Sequence, residues 1–407
     1  MKKKILFDLT SFQPQGNVRN NGGGEYAWVL FEAIYERVHQ SIDVLIDSKL
    51  GLNDKLKKII DDNDIDVISY SQINEVSNIC TPEKYCVLVL PVNYPSYYAM
   101  KVSDEIRVIA VMHDLSCIFD SKVRVKYGRY PKRDGLNWLR KIYDWYNDNI
   151  NYKNYVNQHK EALHHNRNQK NITVSYFSKY SIVNYVDAEL GEGMEVLYSH
   201  AKSSGPVQDE SDFLEKNGLV KGEYLLLSSA ARWKKNNAIA IMAIDSMLSD
   251  DTILQLRNCK IVVLGVNSLF EEYYRRIIKN IDHFLFFDYI ETEELEQLYR
   301  NAHLFVYPSV LEGFGYPPIE AMKYETISAC SSATSIPEIC GDAAIYFNPY
   351  ELDSIRIAIL KSFETEYYEE KKKKAKTRFA EISARQNRDF EKLVSTILEY
   401  EEDKIDG

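Results

Sequence analysis

The stretch FVYPSVLEGFGYPPIEAM, Phe305–Met322, is the part of the chain that says most about its fold. Together with the preceding residues its first half gives AHLFVYPS, an apolar and aromatic run closed by Pro308 and Ser309 that reads as a buried strand. Gly313 and Gly315 then let the backbone turn sharply and come close to a ligand. Pro317 and Pro318 suit the first turn of a helix, where a missing N–H costs nothing. In an open α/β sheet ligands bind beyond the carboxyl ends of the strands, so this turn lies at the ligand edge. The helix start, with its positive dipole end, favours an anion such as a diphosphate. Glu312 falls in the loop and Glu320 about one turn inside the helix. On a straight helix that spacing spans about 12 Å. It suits a grip on two parts of one extended ligand and exceeds the roughly 5–9.5 Å of a glycosidase carboxyl pair. Carboxylates accept well from the paired hydroxyls of a sugar or ribose. The plainer reading is a helix-start acid and a solvated helix glutamate.

Outward from this motif, the same strand–helix alternation runs through the chain. KILFDLTSF, IDVLI, IDVISY, YCVLVLP, VIAVMHDL, ITVSYFS and MEVLYSH are strand candidates in the first half. YLLLSSA, KIVVLG, HFLFFDYI, AHLFVYPS, ISACSS and AAIYF follow in the second. Such runs, spaced by helix-length segments, predict parallel sheets buried on both faces in two α/β, Rossmann-like doubly wound domains. At 407 residues the chain also exceeds the roughly 250–300 that one core serves. The Ser/Gly/Pro/acid-rich segment Ala201–Phe213 marks the boundary. The domains expected are 1–202 and 203–383, with a C-terminal helix, 384–407, returning to the first.

A formal net charge of -10 excludes the basic field of a typical nucleic-acid binder. The six cysteines form no C-x-x-C pair, and their apolar settings predict buried, reduced thiols and a cytoplasmic protein. The basic-then-apolar start is interrupted by Asp8 and reads as a first buried strand rather than a signal segment. No run approaches the roughly 18–20 apolar residues of a membrane span. Adjacent His164 and His165 do not share a helix face, and no acidic partner is evident for them, so no metal site is read there. Segment 122–145 is basic with interleaved aromatics. It reads either as a solvated helix pair or as an acceptor or anionic-lipid surface giving peripheral contact with the inner membrane face.

PSVLEGFGYPPIEAM resembles, nearly residue for residue, the E-x7-E signature of retaining, nucleotide-sugar-dependent glycosyltransferases of the GT-B fold, in glycosyltransferase family four. FLFFDYIETEELEQLYRNAHLFVYPS and SIPEICGDAAIYFNP are similar to the flanking family segments. VMHDL and ITVSYFSKYSIVNYV resemble parts of its N-terminal domain. The resemblance implies a central cleft faced by two domains. It implies a nucleoside-diphosphate hexose donor, UDP- or GDP-linked, bound mainly to the second domain, and a glycan or lipid-linked acceptor bound mainly to the first. It implies retention of configuration, no cofactor and no metal, and a place in bacterial surface-polysaccharide synthesis.

Residue by residue, it implies that Glu312 contacts the transferred sugar and Glu320 the nucleotide ribose. The backbone N–H groups of Gly313, Phe314, Gly315 and Tyr316 would hold sugar hydroxyls and phosphate. Arg232 and Lys235, in SSAARWKKNN, resemble the cationic pair that neutralises the donor diphosphate, with Lys234 the alternative to Lys235. Such cations suit a leaving group that gains negative charge in the transition state. Gly23 and Gly24, in NNGGGEYAWVLFEAI, open a helix close to a phosphate or sugar, or form a plain helix-start turn. His113 in VMHDL corresponds to a histidine near the donor sugar, with Asp114 orienting it or capping a helix. Tyr289 stands where the family's backbone reads the base. Two departures stand out: Glu325 replaces a usual glycine and Ile327 a usual proline. The competing expectations are a non-catalytic partner subunit of the same fold, or a sugar-nucleotide epimerase or phosphorylase.

Overall fold

The structure, a computed structural model, describes residues 3–14, 22–62, 65–116, 118–119, 151–200, 212–250 and 253–402. Segment 122–145, Cys117 and residues 201–211 of the expected domain boundary lie outside the described residues. The described residues form two compact units. Those up to 118, from 151 to 200 and from 384 to 402 make the first; Phe119 and those from 212 to 383 make the second.

The first unit holds a seven-stranded sheet built from β1 (Lys4–Asp8), β2 (Ile42–Asp47), β3 (Val67–Tyr70), β4 (Tyr85–Leu90), β5 (Arg107–Met112), β6 (Gln169–Thr173) and β7 (Glu195–Val196). Its spatial order is β3-β2-β1-β4-β5-β6-β7. The second unit holds β8 (Tyr224–Leu227), β9 (Lys260–Leu264), β10 (Phe284–Phe287), β11 (Leu304–Tyr307), β12 (Ser328–Ser331) and β13 (Ile345–Phe347), in the order β10-β9-β8-β11-β12-β13. All these pairings are parallel. Each order reverses between its first and fourth strands, the switch point where open α/β sheets leave room for a ligand.

The strands form where the sequence places its apolar runs, because central parallel strands are covered on both faces and have no polar side. β4, β8, β11 and β12 are buried throughout, whereas the edge strands β3, β7 and β10 are only partly so. Two expected runs shorten. After β1, Thr10–Phe12 leaves the sheet as a 3-10 turn, because the Asp8 carboxylate accepts the Thr10 N–H at 3.0 Å. After β7 the Tyr198 N–H goes to the Asp389 carboxylate at 2.9 Å instead of continuing the ladder.

The second core packs Leu225, Val263, Leu304 and Ala329 of the sheet against Ile244 and Ile355 of the flanking helices. Ile327, where the family pattern has proline, is a fully buried member of it. Glu325, where the pattern has glycine, takes a left-handed φ of 59° and pairs with Lys376 at 2.6 Å. The charged run EEKKKKAKTR and the tail beyond it form one 38-residue helix, Thr365–Glu402. Its residues up to Ser383 belong to the second unit, where Lys371 and Arg378 donate to the carbonyls of Asp342 and Ile339. Its residues from Ala384 belong to the first, where Gln386 donates to the Ser199 carbonyl and Phe390, Leu393 and Ile397 are buried. The cysteines among the described residues are buried and free. No described helix is long and apolar enough to cross a membrane.

Candidate active site at the carboxyl edge of the second sheet

β11 delivers Tyr307, and the chain then turns through Ser309 and Glu312 to the helix Tyr316–Lys323. Gly315 caps that helix with φ 101°, a region that glycine enters without a Cβ penalty. The Ser335 hydroxyl fixes the turn by donating to the carbonyls of Glu312 at 3.1 Å and Phe314 at 2.9 Å. Thr334 accepts the Glu312 N–H on its hydroxyl at 3.3 Å and itself takes a φ of 60°. For a β-branched residue that conformation is an outlier, of the kind that gathers at functional sites. Pro317 and Pro318 carry no N–H. The backbone donors at this end are therefore those up to Tyr316 and from Ile319 onward, fewer than the dipole argument assumes for an ordinary helix.

The side chain of Glu312 is almost enclosed. Its Oε1 accepts from the Lys235 ammonium at 2.6 Å, from the Tyr307 hydroxyl at 2.7 Å and from the Ser309 hydroxyl. Lys235 also donates to the Tyr307 oxygen at 2.7 Å, so the tyrosine proton points to the carboxylate. Side-chain exposures of 8% for Lys235 and 12% for Glu312 make this a largely desolvated ion pair. Burial pushes the Glu312 carboxyl up, yet the Lys235 charge and the hydroxyl donors outweigh it and hold it below its ordinary value. Tyr307 moves the other way: burial and the adjacent carboxylate raise its hydroxyl well above the ordinary value. Lys235 arrives from the turn Trp233–Lys235 after β8, and Asn236, at φ 56°, starts the next helix. Thus the ends of the second unit's first and fourth strands are tied by one ion pair at the switch point. Of the two lysines it is Lys235 whose ammonium meets Glu312, while the Lys234 carbonyl accepts the Val310 N–H at 2.9 Å.

Glu320 has a different setting. It remains accessible to solvent, and its Oε2 accepts from the buried Tyr299 hydroxyl at 3.2 Å. Surrounding protein raises its carboxyl pKa, opposed by Tyr299 and Lys235; because the side chain keeps solvent contact, that desolvation is partial. Arg232 is exposed beside Lys235 at the same edge. Tyr289 follows β10, is 61% exposed, and donates to Glu291 at 3.4 Å. Phe314 is buried, and its ring meets Tyr316 at 5.1 Å.

The remaining predicted residues belong to the first unit. His113 follows β5; its Nε2 lies 2.9 Å from the Pro91 carbonyl, which can only accept, so Nε2 carries the proton. Burial lowers its pKa, which leaves a neutral ring with a lone pair on Nδ1. Tyr26 packs edge-on against it at 4.8 Å. Asp114 does not hold the His113 ring; it caps the following turn by accepting from Ser116. Gly23 and Gly24 lie in the first turn of the helix Gly22–Val38. At Gly24 a Cβ would stand 2.5 Å from the Ser11 carbonyl oxygen, so glycine is required there by the chain's own packing. His164, expected without an acidic partner, has Asp187 at 3.5 Å, while the His165 ring faces the Met100 carbonyl and Asn93.

Sequence reasoning missed Tyr299, Tyr307, Ser309 and Ser335, although all but Tyr299 and Ser335 stand inside the quoted motif. It also missed Asp8, buried at the first unit's own switch point, where it accepts from Tyr97 at 2.8 Å. The available signal was an acid interrupting an apolar strand.

Residues 209–379 match the family model described as glycosyl transferases group 1. That segment is a group 1 glycosyltransferase domain. It contains Arg232, Lys235, Tyr289, Glu312 and Glu320. The chain is 43% identical over 82 residues to O-antigen chain mannosyltransferase B of Escherichia coli, covering 20% of this chain and 22% of that protein. It is 30% identical over 190 residues to O-antigen chain mannosyltransferase RfbU of Salmonella typhimurium, covering 46% and 49%. The chain thus spans half or less of the length of these curated relatives. Anabaena Alr3699/HepE, solved in complex with UDP and glucose, superposes on it with a TM-score of 0.60 at 16% identity, covering 98% of both chains. With the group 1 domain in one of two parallel-sheet units, the fold is GT-B.

Proposed function

We propose that the chain is a retaining glycosyltransferase that moves mannose from a nucleoside-diphosphate donor to a glycan or lipid-linked acceptor of bacterial O-antigen synthesis. The observation that carries this is the buried Lys235–Glu312 pair at the switch point of the group 1 domain. The pair sets a cation and an ionised carboxylate side by side where a diphosphate and its sugar would meet. The family match and the names of the two relatives support the reaction class and the sugar.

In this reading the bond from the sugar C1 to the β-phosphate oxygen breaks while the acceptor oxygen bonds to C1 on the same face. The acceptor proton passes to the departing phosphate oxygen, and nucleoside diphosphate leaves. Arg232 and Lys235 stabilise the growing diphosphate charge, and fixed cations in a dry site need no reorganisation to do so. Glu312 orients the sugar, Glu320 the ribose, and the backbone at Tyr289 the base. Gly23 and Gly24 are assigned a donor contact by the family resemblance alone. His113, neutral, supplies a hydrogen bond rather than a charge. No step in this scheme calls for a metal or an organic cofactor.

A specific observation favours a second donor class, since the HepE structure holds UDP and glucose. The test is release of nucleoside diphosphate from GDP-mannose and from UDP-glucose, with and without a lipid-linked glycan acceptor. Acceptor-dependent release from GDP-mannose is expected, with Glu312→Gln slowing it about 100-fold or more, as for removal of one preorganised charge contact. Release that needs inorganic phosphate in place of acceptor would mark a phosphorylase. Turnover unchanged in Glu312→Gln would sink the assignment.

A further inference from the structure

The two carboxylates of the motif share an arrangement. Glu312 gives one oxygen, Oε1, to the Tyr307 hydroxyl, and Glu320 gives one oxygen, Oε2, to the Tyr299 hydroxyl. No described residue donates to Glu312 Oε2 or to Glu320 Oε1 within hydrogen-bond distance. The two tyrosines stand eight positions apart, as the two glutamates do. Both are buried, Tyr307 at 1% and Tyr299 at 3% exposure. They are joined through Phe305, whose ring meets Tyr299 edge-on at 5.3 Å and Tyr307 in a stack at 5.6 Å. A rigid aromatic column thus fixes one oxygen of each carboxylate.

We propose that Tyr307 and Tyr299 are positioning residues of the donor site, each turning one carboxylate so that its second oxygen faces the donor: Glu312 Oε2 the sugar, Glu320 Oε1 the ribose. This rests on the donor-site reading above. A buried tyrosine has only two χ angles and its packed ring fixes both, so its hydroxyl holds a carboxylate rotamer that solvent alone would not. Two neighbours share the work at Glu312: Lys235 fixes its charge and Ser309 bonds the same oxygen. At Glu320 Tyr299 acts without a comparable second donor among the described residues.

The experiment is calorimetric titration of the full chain with GDP, GDP-mannose, UDP and UDP-glucose, for the wild type, Tyr307→Phe and Tyr299→Phe, with melting curves alongside. Phenylalanine keeps the ring packing and removes only the hydroxyl. Tyr299→Phe should weaken nucleoside diphosphate and nucleotide sugar alike by about tenfold, the size of one charge-assisted hydrogen bond. Tyr307→Phe should weaken the added increment from the sugar by more than it weakens the nucleoside diphosphate, which feels the variant only through the Lys235 contact to the Tyr307 oxygen. Should Tyr307→Phe melt early, Ser309→Ala removes a different donor from the same oxygen and should show the same selective loss. Equal affinities in wild type and variants, or losses that do not separate sugar from ribose, overturn the positioning roles while the donor site stands. A wild type that binds none of the four ligands overturns the donor-site reading and this proposal together.

Discussion

Single residues carry the most exposed contrasts with the family pattern. Glu325 holds a left-handed backbone where glycine is usual, and an exposed ion pair with Lys376 goes with it. Left-handed φ costs an ordinary residue roughly 1–2 kcal/mol, while an exposed pair contributes about 0–1 kcal/mol. Glu325→Gly is therefore expected to leave stability unchanged or raise it by about 1 kcal/mol, read from the urea midpoint. Asp8 gives a pH signature. Burial raises its carboxyl from 3.8 to about 6, against hydrogen bonds from Thr10 and Tyr97 and with Asp47 adding to the rise; Tyr70 faces it through Thr10. Folding takes up a proton between those values, so this group's contribution is full below pH 4 and is lost as pH rises through 6. The loss is roughly 3 kcal/mol. Subtracting the stability of Asp8→Asn from that of the wild type should give a difference that falls between pH 4 and 6. A flat difference would refute the shift. Neither feature was readable from sequence. Glu325 appeared only as a departure from a pattern, and a left-handed φ leaves no mark on residue type when a glutamate adopts it. Asp8 appeared only as an interruption.

Among the elements, the strands were the most legible part of the chain, because a parallel strand covered on both faces writes itself as an unbroken apolar run. Every run read as a strand contributes one. The ends were less legible: β1 and β7 stop where the carboxylates of Asp8 and Asp389 capture a backbone N–H, and the second comes from 191 residues away. The C-terminal helix was readable as a charged amphipathic pattern, but its length was not, since a run of four lysines has no caps. Within that helix, Asp389 accepts from the Tyr198 N–H and from Arg385 at 3.2 Å, and the Arg385 guanidinium lies 3.5 Å over the Tyr198 ring. Asp389→Ala leaves a buried N–H without its partner, a loss of about 1–3 kcal/mol. Equilibrium unfolding should show it as a lower midpoint with an unchanged slope; a change under about 0.3 kcal/mol would mean that water replaces the carboxylate.

At the scale of the whole molecule the two units repeat one device. In each, a buried carboxylate links the segments at or beyond the carboxyl ends of the first and fourth strands, Asp8 with Tyr97 in the first and Glu312 with Lys235 in the second. Only the second tie pairs a cation with the acid, and it is there that an anionic donor is proposed to bind. A nucleoside diphosphate that binds this unit should stabilise the full chain by about 2.7 kcal/mol at 100 times its dissociation constant. Thermal unfolding with UDP, GDP, TDP and ADP is expected to pick out one nucleotide, and Glu320→Ala to abolish that shift. A shift of equal size in the variant would remove Glu320 from the ribose site.

The sequence by itself determined the strands, the two-unit α/β plan, the turn at Gly313–Gly315 and the two glutamates, since each depends on short-range pattern or on residue type at fixed spacing. Only the tertiary structure decided that Lys235 rather than Lys234 meets Glu312, that Asp114 caps a turn instead of holding His113, and that Gly24 answers to Ser11. It also decided that Tyr299 and Tyr307 stand behind the two carboxylates. The reason is physical: those choices rest on which side chains the sheet order and the helix faces bring within about 3 Å of each other, and hydrogen bonds of that length are satisfied between residues of any separation in sequence.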